Sequence, residues 1–149
     1  MKAVDKSRWA TMFFAMGAMG CANAAPQLTV NFFNNTGDNA TYVRGNNKNE
    51  TTTYLNASPS PSEVAAGTLS TFIVRATGSS PIVYATVRYQ AGVKSCLFTT
   101  SYLMSMSRGG VRTPKWNRSA VAGGGARCEA VVTSVNFSSH DWVVNFSMR

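Results

Sequence analysis

Leu28, Val30 and Phe32 alternate with Thr29 and Asn31, and the same two-residue rhythm returns at 69–76, 82–90, 93–103, 127–137 and 142–148. Successive side chains of a strand point to opposite faces, so this rhythm specifies half-buried strands and no helix. Within 82–90, Val83, Ala85, Val87 and Tyr89 share one face, and Ile82, Tyr84, Thr86 and Arg88 share the other. The chain is rich in Thr, Ser, Val, Asn and Gly, which suit strands and turns better than helices. Polar or Pro/Gly-containing breaks fall at 34–39, 45–48, 59–67, 78–81, Ala91-Gly92 and 138–141. The segments 40–44 and 51–55 read as two further short strands. About seven to eight short strands divided by such turns predict an all-β fold, an antiparallel β-sandwich or small barrel. Tyr84, Tyr89, Phe98 and Tyr102, with Trp142, Val144 and Phe146, are its expected core aromatics and apolar partners.

The first 25 residues stand apart. Lys2, Lys6 and Arg8 precede an apolar run from Trp9 to Met19, and Ala22-Asn23-Ala24 supplies a small-x-small cleavage pattern. These are the parts of a cleaved secretory signal, which assigns 1–25 to the leader and 26–149 to one domain outside the cytoplasm, secreted or periplasmic. A rival reading takes Ala18-Met19-Gly20-Cys21 as a lipid-attachment box, with Cys21 acylated and the domain tethered. No apolar run beyond the leader is long enough to cross a membrane as a helix. Removing the leader leaves Cys96 and Cys128, an even pair in an oxidising compartment, and these are expected to form a disulfide.

Residues 26–149 hold eleven Lys and Arg against five Asp and Glu, a net charge of +6. Between Glu63 and Glu129 there is no acidic residue, whereas Arg75, Arg88, Lys94, Arg108, Arg112, Lys115, Arg118 and Arg127 all fall there. A field of one sign attracts anionic partners, which here means lipid, acidic polysaccharide or an acidic protein. Nucleic acid ranks last for an exported chain. The bland alternative is a basic surface that only keeps the protein soluble.

The basic residues interleave with one aromatic in 108–118, where Arg108, Arg112, Lys115 and Arg118 surround Trp116. This segment sits in 104–126, which reads as one long irregular loop stapled near its base by Cys96 and Cys128. Tryptophan favours a membrane interface, and cations beside it meet anionic headgroups or carboxylates. These five residues form the candidate ligand-binding site. In the competing reading, Trp116 folds back onto the sandwich edge as a plug.

The catalytic inventory is thin. His140 is the only histidine, and Asp141, its immediate neighbour, is poorly placed to complete a Ser-His-Asp site. Glu63 and Glu129 are the remaining carboxylate pair to weigh. Gly123-Gly124-Gly125 lacks the Lys-Ser/Thr ending of a phosphate loop and reads as a lead into a strand. No clustered His, Cys or carboxylate set suggests a metal, and no cofactor is expected. The chain therefore reads as an exported, non-catalytic protein that binds an anionic envelope or membrane-surface ligand through 108–118. Two alternatives are a membrane-active cytolysin that binds lipid and oligomerises, and a small extracytoplasmic inhibitor or immunity-type protein that caps an acidic partner.

Overall fold

The computed structural model describes residues 25–76 and 82–149. The leader, its Cys21 and the break at 78–81 lie outside the described residues. The described chain runs β1 (Gln27–Asn34), β2 (Thr41–Tyr42), α1 (Lys48–Asn56), β3 (Ala57–Ser58), β4 (Leu69–Arg75), β5 (Val83–Ala91), β6 (Lys94–Met106), β7 (Arg112–Gly123), β8 (Cys128–Val135) and β9 (Trp142–Met148). One sheet has five strands in the order β3-β4-β1-β9-β8, and the other has four in the order β2-β5-β6-β7. All neighbours are antiparallel except β1 and β9, which run parallel. The fold is the all-β sandwich that the alternation predicts.

Its core lies where the period-two pattern places it. Leu28, Val30 and Phe32 of β1 and Val144, Phe146 and Met148 of β9 are fully buried, and they face the inward side of β5 and β6. Phe32 stacks on Tyr89 with ring centroids 3.7 Å apart, and Phe98 stacks on Phe146 at 4.7 Å. Both contacts cross between the sheets. Trp142 adds a polar tie, its Nε1–H donating to Thr100 Oγ1 at 3.2 Å. Tyr89, Phe98 and Tyr102 are buried as expected. Tyr84 is not; parity along β5 turns it to the outer face, where it is half-buried.

Two segments depart from the sequence reading. Residues 51–55 are helical, inside α1. Asn47 caps this helix by accepting from Asn49 N–H at 2.8 Å, and Thr52 and Thr53 bond back to the carbonyls of Lys48 and Asn49. Threonine-rich sequence is poor helix material. The anchor is Glu50, fully buried, with one carboxylate oxygen 2.9 Å from an Arg88 guanidinium nitrogen and the other accepting from Gly45 N–H at 2.7 Å. Side-chain atoms on Gly45 would collide with that carboxylate, which explains the glycine.

The second correction concerns 104–126, which is no loop. It holds the end of β6, a tight turn, all of β7 and the short β7–β8 connection. Gly124 and Gly125 turn the chain there with φ of 61° and 77°. A Cβ at Gly124 would strike the Val93 carbonyl, so only glycine fits. Cys96 and Cys128 are disulfide-bonded with Cα atoms 5.7 Å apart, and the bond joins β6 of one sheet to β8 of the other.

Candidate functional site

The sequence 107–111 forms a hairpin turn because it supplies what a three-residue loop needs. Gly110 N–H donates to the Ser107 carbonyl, Ser107 N–H donates to the Val111 carbonyl, and Gly110 takes φ of 75°. This is a turn followed by a left-handed residue, the usual three-residue hairpin connection. The strands it joins outlast their neighbour: β5 pairs with β6 only as far as Tyr102, opposite Val83. Beyond that point the described ladder pairs Leu103–Met106 with Arg112–Lys115, through Met106 opposite Arg112. At about 3.3 Å per residue, four residues carry the ribbon roughly 13 Å past the last described β5–β6 pair.

Register sorts the five candidate residues. Tyr102 and Thr100 point into the interlayer, and their partners on β7 are Trp116 and Arg118. Both are therefore turned inward at the sheet edge. Arg118 Nε–H donates to the Ala130 carbonyl at 2.9 Å and so ties β7 to the facing edge strand β8. Trp116 Nε1–H donates to the His140 carbonyl at 3.4 Å, and its ring lies 5.7 Å from Tyr102 and 5.4 Å from Phe137. Half-buried against the open end of the sandwich, Trp116 takes the plug position.

Arg108, Arg112 and Lys115 remain on the projecting hairpin and are exposed. Arg108 sits in the turn, Arg112 on the inward-facing side and Lys115 on the outer one, opposite Leu103. Among the described residues the one ion pair is Arg88 with Glu50, so these three cations have no carboxylate partner. Arg75 comes to the same end of the molecule from β4. Its guanidinium bonds Gln27 Oε1 at 2.6 Å, and it lines a recess of about 310 Å³ with Ala76 and Asp141. Asp141, on the turn at this end, accepts from Gln27 N–H through Oδ1 at 2.6 Å.

The turn at 136–141 closes this end. Asn136 Oδ1 accepts from the N–H groups of Ser138 and Ser139, and His140 adopts a positive φ of 65°. The imidazole of His140 stacks on Tyr102 at 5.1 Å, whereas Asp141 turns to the Gln27 backbone. Burial pushes the Tyr102 phenol above its ordinary range, and its hydroxyl donates to Met104 Sδ at 2.8 Å. Glu63 bonds Asn39 and Thr41 beside β2, and Glu129 lies on β8 at the opposite side of the sandwich, so the two carboxylates do not converge. Among the described residues no group of three or more His, Cys, Asp or Glu is placed to hold a metal, and no helix is long and apolar enough to cross a membrane.

Sequence reasoning missed the apolar members of this end: Met104, Met106, Val111 and Phe137 are all exposed. Met104 and Met106 continue the inward parity of β6 past the point where a facing sheet exists, a signal that only the strand register makes readable. No family model matches this chain, and no curated protein matches it, so the residues themselves carry the functional reading.

Proposed function

We propose that this protein is an exported binding module that carries out no covalent chemistry and recognises anionic groups of a cell envelope through the β6–β7 hairpin. The observation that carries the reading is the set Arg108, Arg112 and Lys115, exposed on one projecting ribbon without a carboxylate partner among the described residues. The Cys96–Cys128 bond supports an oxidising compartment. Trp116 and Arg118 serve the reading indirectly, by fixing the base of the hairpin against His140 and Ala130. Each cation near an anionic surface contributes about 1 kcal/mol, so three contribute about 3 kcal/mol, a millimolar-range attraction that salt weakens.

The test measures retention on immobilised polygalacturonate and on anionic vesicles at low and high salt. An Arg108→Glu/Arg112→Glu/Lys115→Glu variant runs beside the parent. We expect salt-sensitive retention of the parent and at least about a tenfold loss in the variant. Equal binding by the two proteins, or a parent that ignores every anionic surface, sinks the reading.

A further inference from the structure

Two turns distant in sequence, 107–111 and 136–141, belong to one end of the sandwich, the first at the hairpin tip and the second against its base at Trp116. Four of the ten exposed large apolar residues among those described lie on this end. Met106 is 65% exposed, Val111 61%, Phe137 71% and Met104 39%. Isolated exposed apolar residues are ordinary; here Met106 and Val111 flank the hairpin turn, and Met104 and Phe137 lie at its base beside Tyr102 and Trp116. Phe137 sits at the crest of a turn fixed by Asn136, with its ring perpendicular to Trp116 at 88°. Met104 lies under the Tyr102 hydroxyl, and Met106 is paired across the ribbon with Arg112.

We propose that this end of the molecule is a wedge for an anionic lipid bilayer: Met106, Val111 and Phe137 enter the headgroup–acyl boundary while Arg108, Arg112 and Lys115 hold lipid phosphates. The inference rests on the anionic-surface reading above and names its ligand. Charge complementarity selects the occupant, because Arg108 and Arg112 share the turn with Met106 and Val111. None of the three hairpin cations has a carboxylate partner among the described residues, and Asp141, the described carboxylate at this end, accepts from Gln27 N–H. Shape agrees. Met106 and Val111 flank the turn of an extended ribbon, whereas a small-molecule pocket needs a concave surface. An acidic polysaccharide presents carboxylates but no apolar depth, and three cations alone attract too weakly to hold a protein in place at physiological salt. Apolar residues with basic neighbours at a membrane interface supply the missing part.

The experiment uses the disulfide-bonded full chain and compares the parent with a Met106→Ser/Val111→Ser/Phe137→Ser variant and with the charge-reversed variant above. All three proteins share residues 1–24, so differences between them report the tip. Vesicles of phosphatidylcholine alone, vesicles with added phosphatidylglycerol, and soluble polygalacturonate are the probes, each at low and high salt. The three serines replace side chains that are mostly solvent-exposed, so the thermal midpoint stays at the parent value and reports folding. We expect the serine variant to bind phosphatidylglycerol vesicles about tenfold or more weakly and to lose the salt-resistant fraction, while its polygalacturonate binding matches the parent. Undiminished vesicle binding by the serine variant overturns the wedge and leaves the charge reading standing. A parent that binds polygalacturonate but no vesicle also overturns it, and a parent that binds neither overturns both and directs the search to a protein partner for the same tip.

Discussion

Tyr89 and Glu50 show how differently one fold treats two buried polar side chains. Glu50 has both carboxylate oxygens engaged, by Arg88 and by Gly45 N–H. The Tyr89 hydroxyl, equally buried, has no hydrogen-bond partner among the described residues. An unpartnered buried hydroxyl costs about 1–3 kcal/mol in desolvation, and phenylalanine keeps the ring that stacks on Phe32. Tyr89→Phe is therefore expected to stabilise the protein by about 1 kcal/mol, read as a higher urea midpoint with an unchanged slope. The same residue sets an alkaline limit. Burial raises the Tyr89 phenol above its usual range, with the Tyr42 phenolate adding to the effect; Tyr42 and Tyr102 are also raised, chiefly by burial. Above about pH 10 the unfolded chain releases protons that the folded chain retains, so stability falls as pH rises. A urea midpoint measured from neutral pH upward checks this, and Tyr89→Phe flattens the decline. None of it was legible beforehand: alternation put Tyr89 on the inward face, but the surroundings of its hydroxyl depend on β2 and β1.

Among the elements, α1 was misread and has a structural task. β2 covers β5 at Gln90 and Tyr89, and Val43 N–H adds one bond to the Arg88 carbonyl at 2.9 Å, which leaves the edge before Arg88 to be capped. Thr53 Oγ1 accepts from Thr86 N–H at 2.9 Å in a buried contact, and Glu50 reaches Arg88 on the same strand. A helix laid on an exposed edge blocks pairing with another chain. Thr53→Val keeps the shape and removes the acceptor, so a loss of about 1–3 kcal/mol is expected in urea denaturation, together with faster amide exchange at Thr86. Propensity pointed to a strand at 51–55, and tertiary contacts overrode it. The hairpin was misread for a related reason. Gly109, Gly110 and Pro114 broke the visible pattern, and the β7 side of the ribbon, Arg112 to Lys115, carries no apolar alternation. The long strands with one face on the core, β1, β5 and β9, were legible because burial imposes the period directly.

Across the whole molecule, the Cys96–Cys128 bond is the covalent link between the sheets, on the side where edge strands β7 and β8 face each other. With a sequence separation of 32 between the cysteines, the chain-entropy estimate of its contribution is about 3.5 kcal/mol. Cys96→Ala/Cys128→Ala is expected to lower unfolding free energy by about that amount. The Arg108→Glu/Arg112→Glu/Lys115→Glu variant is expected to stay within about 0.5 kcal/mol of the parent, because those side chains project beyond the folded body. Measuring both by urea denaturation separates what holds the sandwich together from what it presents. The sequence by itself determined the all-β class, the inward faces of the long strands, the cysteine pairing and the basic bias of 64–128, because strand periodicity, composition and cysteine number are local or additive properties. Only the tertiary structure decided which of those cations stand free. The register of β7 on β6 turned Trp116 and Arg118 inward and left Lys115 outside, and the packing of the 136–141 turn set Phe137 beside Trp116. Pairing register and sheet packing are relations between distant segments, and no single stretch of chain encodes them.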